Sequence, residues 1–141
     1  MREILFRGKK VKPSVFDETD WVYGSLIDSG NHEQVAIYPW YDGASTMSVR
    51  QRVYARMEAV NPETVGQYTG LKDKSGTMIF EGDIVKSFDL FGHVDGCGIV
   101  SWNDLFTCWM FGHCKSMYGG NIATYEVIGN IHDNPDLVKE E

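Results

Sequence analysis

The sequence predicts a mainly β protein, with α+β as the alternative, from two observations. The apolar stretches are short and rich in β-branched and aromatic residues: EILFR, WVYGSLI, QVAIYPW, TMIF, DIVKSF, GIVSW, FTCWMF and ATYEVIG. Glycine punctuates them, at 15 residues against 4 prolines, so the chain turns often.

Taken in order, residues 1–61 read as a strand-rich segment and residues 62–141 as a small β-barrel with a C-terminal tail. The boundary is placed near Asn61-Pro62. The strand entry GDIV, and GIVSW after a glycine-rich loop, make an SH3-like barrel the expected form. Residues 48–60, SVRQRVYARMEAV, fit two periods. Val49, Val53, Met57 and Val60 recur at helical spacing, while Val49, Val53, Ala55, Met57 and Ala59 also alternate with Arg50, Arg52, Arg56 and Glu58. A strand is preferred, because Pro62 cuts the pattern short and the neighbours are strand-like.

The stretch PETVGQYTGLKDKSGTMIFEGDIV, Pro62 to Val85, raises the question of a ligand-cradling loop. A phosphate loop needs Lys-Ser or Lys-Thr opening a helix. Here the glycines lead into TMIF and DIVKSF, which read as strands, so Gly70, Gly76 and Gly82 are expected at turns. Lys72-Asp73-Lys74-Ser75-Gly76 is a hairpin turn with Gly76 at positive φ.

At 141 residues and 16.0 kDa the chain suits one domain, or one domain with an appendage. It is 43% hydrophobic and 13% aromatic, too apolar for a disordered chain. No apolar run approaches the roughly 20 residues of a membrane span. MREILFRGKKVK lacks the apolar core of a secretory signal, so residence in the cytoplasm is expected. The three cysteines, Cys97, Cys108 and Cys114, then read as free thiols.

The net charge of −7 is unevenly placed. Residues 1–60 carry as many bases as acids, so the whole negative excess lies beyond Val60. A phosphate-binding surface is normally basic. Candidates for one are Arg2, Arg7, Lys9, Lys10 and Lys12, or Arg50, Arg52 and Arg56.

Each candidate chemistry competes with a plainer explanation. His93, Cys97, His113 and Cys114, with Cys108 nearby, hold ligand types for zinc, but His113 and Cys114 are adjacent and cannot easily reach one ion from a strand. Cys114, His132 and Asp133 or Asn134 could form a nucleophile set, though nothing brings them together. Glu81 and Asp83 share a side of an extended chain, where a carboxylate can equally accept backbone amides. Trp102, Phe106, Trp109 and Phe111 could stack bases, with Trp109 and Phe111 on one strand face and Phe106, Cys108 and Met110 on the other. Core packing accounts for such aromatics too. In IHDNPDLV, Asp133 or Asn134 can bond nearby amides, Pro135 suits a short helical turn, and Leu137 and Val138 pin the tail.

Four stretches together resemble the YopX family of phage and prophage proteins: REILFRGK, WVYGSLI, the Pro62–Val85 stretch, and YEVIGNIHDNPDLV. They run from Arg2 to Val138. The resemblance implies a phage or prophage product of mainly β structure and supplies no activity. The combined expectation is a non-enzymatic protein-binding module, with a protein partner or self-association. It includes no metal, no cofactor and no membrane. Single-stranded nucleic-acid binding is the alternative reading, and a metal-dependent enzyme the least favoured.

Overall fold

The computed structural model describes residues 2–40, 48–112, 115–117 and 124–138. They form antiparallel strands, one α-helix and two short 3-10 turns. The chain divides into two compact units, Glu3–Gln67 and Tyr68–Glu141.

In the first unit, β1 (Phe6–Lys9), β2 (Trp21–Asp28), β3 (Val35–Pro39) and β4 (Glu58–Val60) form a sheet of order β4-β3-β2-β1, and the start of β5 (Gly66–Lys72) pairs with β1. The chain after β1 folds back on β4: Lys10 bridges Val60, and the Val11 amide donates to the Ala59 carbonyl at 3.0 Å. That bridge covers the outer edge of β4, which would otherwise present unpaired backbone groups. Val22, Ile37 and Val60 form the core, with Phe6, Leu26, Val35 and Val65 packed around them.

Residues 48–60 depart from the strand expectation. Val49–Arg56 is a helix, α1, and only Glu58–Val60 is a strand. The reason is local. Ser48 caps the helix by accepting from the Gln51 amide, and Gln51 Oε1 accepts in return from the Ser48 amide at 3.0 Å. This capping box satisfies two amides that a strand would leave for a partner. Nothing in α1 is buried.

In the second unit, the later part of β5 pairs with β6 (Met78–Phe80). A five-stranded sheet follows, of order β10-β9-β8-β7-β11: β7 (Asp83–Phe88), β8 (Val94–Asn103), β9 (Cys108–Phe111), β10 (Lys115–Ser116) and β11 (Thr124–Asn130). Its core joins Ile79, Val85, Val100, Phe111 and Tyr125, with the Phe111 and Tyr125 rings edge to face at 5.6 Å. The expected SH3-like barrel is not closed by the described strands. β10 and β11 stand at opposite ends of the sheet, and no ladder joins them. β5 and β10 were also not anticipated; QYTGLK is too polar and glycine-interrupted to read as a strand alone.

The turn after β5 forms as expected, and Gly70, Gly76 and Gly82 all have positive φ. Asp73 closes the turn: its amide donates to the Thr77 carbonyl at 2.8 Å, and its Oδ1 accepts from the Ser75 and Thr77 amides, each at 2.9 Å. Gly76 sits at φ 86 with open space where a Cβ would stand. Gly76→Val is therefore expected to cost only backbone strain, about 1–2 kcal/mol in a thermal or urea melt.

The same turn guards the outer edge of β11. Lys74 N–H donates to the Tyr125 carbonyl at 2.8 Å, and Asp73 Oδ2 accepts from Val127 N–H at 3.1 Å. Lys74 also pairs with Glu126 at 3.3 Å. The Pro62–Val85 stretch thus turns the chain and seals a sheet edge.

Candidate binding surface

The candidate metal residues are dispersed. His93 lies in the turn between β7 and β8, its ring 3.6 Å from the Asp89 carboxylate. Cys97 is exposed on β8 opposite Lys86. Cys108 starts β9 opposite Asn103, about 20 Å along β8 from Cys97 by strand rise. Its sulfur is 3.9 Å from the Ser116 hydroxyl. His113 and Cys114 lie outside the described residues, which also removes Cys114 from any described set with His132. Among the described residues, no three metal-ligating side chains cluster.

Glu81 and Asp83 lie at the entry to β7. Asp83 is buried and accepts from the Phe80 amide at 2.7 Å, so this carboxylate holds the turn. In the terminal motif the work shifts to Asn130, whose Oδ1 accepts from the His132 and Asp133 amides at 3.0 and 2.9 Å. Asn134 Oδ1 accepts from the Asn130 amide at 3.2 Å, as the motif leads one to expect, and Asp133 Oδ2 accepts from the Asn130 side-chain amide at 3.1 Å. Pro135–Val138 is the expected short helical turn.

The N-terminal cations are mostly occupied. Arg7 is buried with its guanidinium 4.7 Å from the centre of the Trp21 ring, and the Lys9 ammonium lies 5.5 Å from the same ring. Lys10 pairs with Asp17 at 3.1 Å. Only Arg2 and Lys12 of that set stand exposed. On α1, Arg50 and Tyr54 are exposed one turn apart.

The aromatic set splits. Phe111 is core and Trp109 packs against it, on the shared face the alternation predicts. Phe106 is not on that strand. It lies in the turn between β8 and β9, 66% exposed, beside Leu105 at 83%. Trp102 is 43% exposed and meets Trp109 edge to face at 5.1 Å.

The other end of β8 repeats this display. Leu90 and Phe91 are 78% and 83% exposed in the turn from β7. Both turns carry the triplet Asp-Leu-Phe, at 89–91 and 104–106, and in both the next residue has positive φ, Gly92 at 82° and Thr107 at 49°. Both are pinned by side-chain caps. Asp89 Oδ1 accepts from the Phe91 and His93 amides at 2.9 Å, and Asn103 Oδ1 from the Phe106 amide at 2.8 Å. The tips stand about 30 Å apart by the rise of a ten-residue strand. A turn normally carries polar side chains; these two hold large apolar ones rigidly outward. Sequence reasoning missed the pattern, although the repeated triplet was visible.

The first unit holds an apolar groove of about 500 Å3 beside β3 and β4. Residues including Val11, Ile27, Val35, Met57, Ala59 and Pro62 line it, with Glu33 among the polar ones.

Fold and surface together define a mainly β protein with apolar side chains exposed at two capped turns. A protein-family model described as YopX protein matches residues 15–139, nearly the whole chain, and the chain belongs to the YopX family. No curated protein matches it. No helix among the described residues is long and apolar enough to cross a membrane.

Proposed function

We propose that this protein is a phage-type accessory protein of the bacterial cytoplasm that acts by binding protein and not by catalysis. One observation carries the reading: Leu90 and Phe91, and Leu105 and Phe106, project from capped turns at the two ends of β8. Apolar groups held in water at ordered positions cost solubility, and they favour association when a partner covers them. Aromatic anchors at such positions concentrate binding energy. At the 104–106 turn the local sequence disfavours phosphate, since Asp104 is part of it and no Lys or Arg occurs between Gly92 and His113.

The test is capture from nuclease-treated lysate of the producing cells. The native chain is expected to retain a protein partner, and Leu105→Ser/Phe106→Ser is expected to lose it while melting at the same temperature. Equal capture by both chains would refute the reading.

A second reading, single-stranded nucleic-acid binding, is favoured by Arg50 and Tyr54 on the exposed face of α1. Under it, capture disappears with nuclease, weakens steeply with salt, and is reduced by Arg50→Ala and not by the tip variant.

A further inference from the structure

We propose that the apolar groove beside β3 and β4 is a binding site for a small amphipathic cation, an apolar body carrying one ammonium group. The inference goes beyond the protein-binding reading and uses a different surface, so each can fail without the other. Strand register builds the groove. Ile27, Ala36 and Ala59 pair across β2, β3 and β4, so they stand on one face of the sheet. Ile37, the next residue of β3, is in the core on the other face. An antiparallel sheet normally turns polar side chains to its open face. Here that face is apolar, and two of the three residues are alanines, which leaves depth above the backbone. Val11 and Met57, both exposed, wall it, and the volume of about 500 Å3 is that of a small-ligand site.

One end of the groove is polar. Ser29, Glu33 and Gln34 line it from the turn between β2 and β3, while Met57, which precedes β4, lies toward the other end. Glu33 is the one ionisable group in the lining among the described residues. Its carboxylate is positioned without being neutralised. The Asn31 side-chain amide donates to Glu33 Oε2 at 3.1 Å, and the Glu33 amide donates to Asn31 Oδ1 at 3.0 Å. Among the described residues no Lys, Arg or His pairs with it. His32, its neighbour in the chain, is taken by the Asp28 carboxylate. A carboxylate left open at one end of an apolar groove selects a ligand with a cation at one end and an apolar body behind it. An ammonium brings three donors, and Ser29, Glu33 and Gln34 offer acceptor oxygens. An anion of the same shape is repelled.

Titration of the purified full chain with octylammonium, octanol and octanoate tests this, read by calorimetry and by the methyl signals of Ala36, Ala59 and Met57. At low salt octylammonium is expected to bind about tenfold more tightly than octanoate, with octanol between them. The shifts should fall on those three methyl groups. Glu33→Gln should weaken octylammonium by about threefold and leave octanol unchanged. Ala59→Phe should fill the groove and abolish binding of all three probes, with a thermal melt confirming the fold. Glu33→Gln lies in an exposed turn, so the charge is tested even where the filled variant does not fold. Octylammonium binding that Glu33→Gln leaves unchanged is general attraction to an acidic chain and overturns the proposal. Octanoate binding as tightly as octylammonium, no saturable binding of octylammonium, or shifts that spare Ala36 and Met57 overturn it equally.

Discussion

Gly98→Ala is expected to unfold the second unit, or to lower its stability by about 3 kcal/mol or more. A Cβ at Gly98 would lie 2.2 Å from the Gly112 nitrogen and 2.3 Å from its Cα. Both atoms are backbone, so no side-chain rotation relieves the clash, and β9 would have to leave β8. β8 is the central strand of its sheet and carries Val100 into the core, so the disturbance reaches the packing of Phe111 and Tyr125. Gly76→Val provides the contrast, since it pays strain alone. Chemical denaturation of both variants should separate the two costs clearly.

Asp73→Ala should cost about 2–3 kcal/mol, because one carboxylate serves three amides, those of Ser75, Thr77 and Val127. Burial pushes the Asp73 carboxyl up, but the amides of Val127, Thr77 and Ser75 outweigh it and hold the group below the usual aspartate value. A depressed folded-state pKa stabilises the protein fully above the unfolded value of roughly 4. That contribution drains away as pH falls through the folded-state value. Melting temperature against pH should therefore fall on the acid side, and Asp73→Ala should flatten that limb. Asp73→Asn keeps one acceptor oxygen and should fall between the two. An unchanged acid limb in Asp73→Ala would show that other carboxylates govern it.

These two positions also mark what a sequence conveys. Most strands were legible, because Ile84, Val85 and Val100 sit in β-branched runs bounded by turn residues. Gly76 was legible as well, since Ser-Gly after charged residues is a local signal. Helix α1 departs from the expected strand although its cue is in the sequence: Ser48 and Gln51 stand at capping-box spacing, beside an alternation of Val and Ala that fits a strand as well. That the described strands leave the expected barrel open was not legible, because edge pairing depends on which distant strands meet. The roles of Asp73 and Asn130 depend on amides supplied elsewhere or by the exact turn, which spacing does not announce. Thr107 gives no sign in sequence of its positive φ. The exposed tips could have been found, since Asp-Leu-Phe twice occupies a turn between strands where polar residues are the rule.

The central claim, that the apolar tips of β8 are docking points for protein, is tested most directly by photo-crosslinking in the producing cell. A crosslinkable phenylalanine analogue placed at Phe106 should, on irradiation, yield a discrete protein adduct that nuclease leaves intact. The same analogue at Val49, an equally exposed apolar position on α1, should yield none. An adduct to nucleic acid, or no adduct at Phe106 from a folded and well-expressed chain, would contradict the claim.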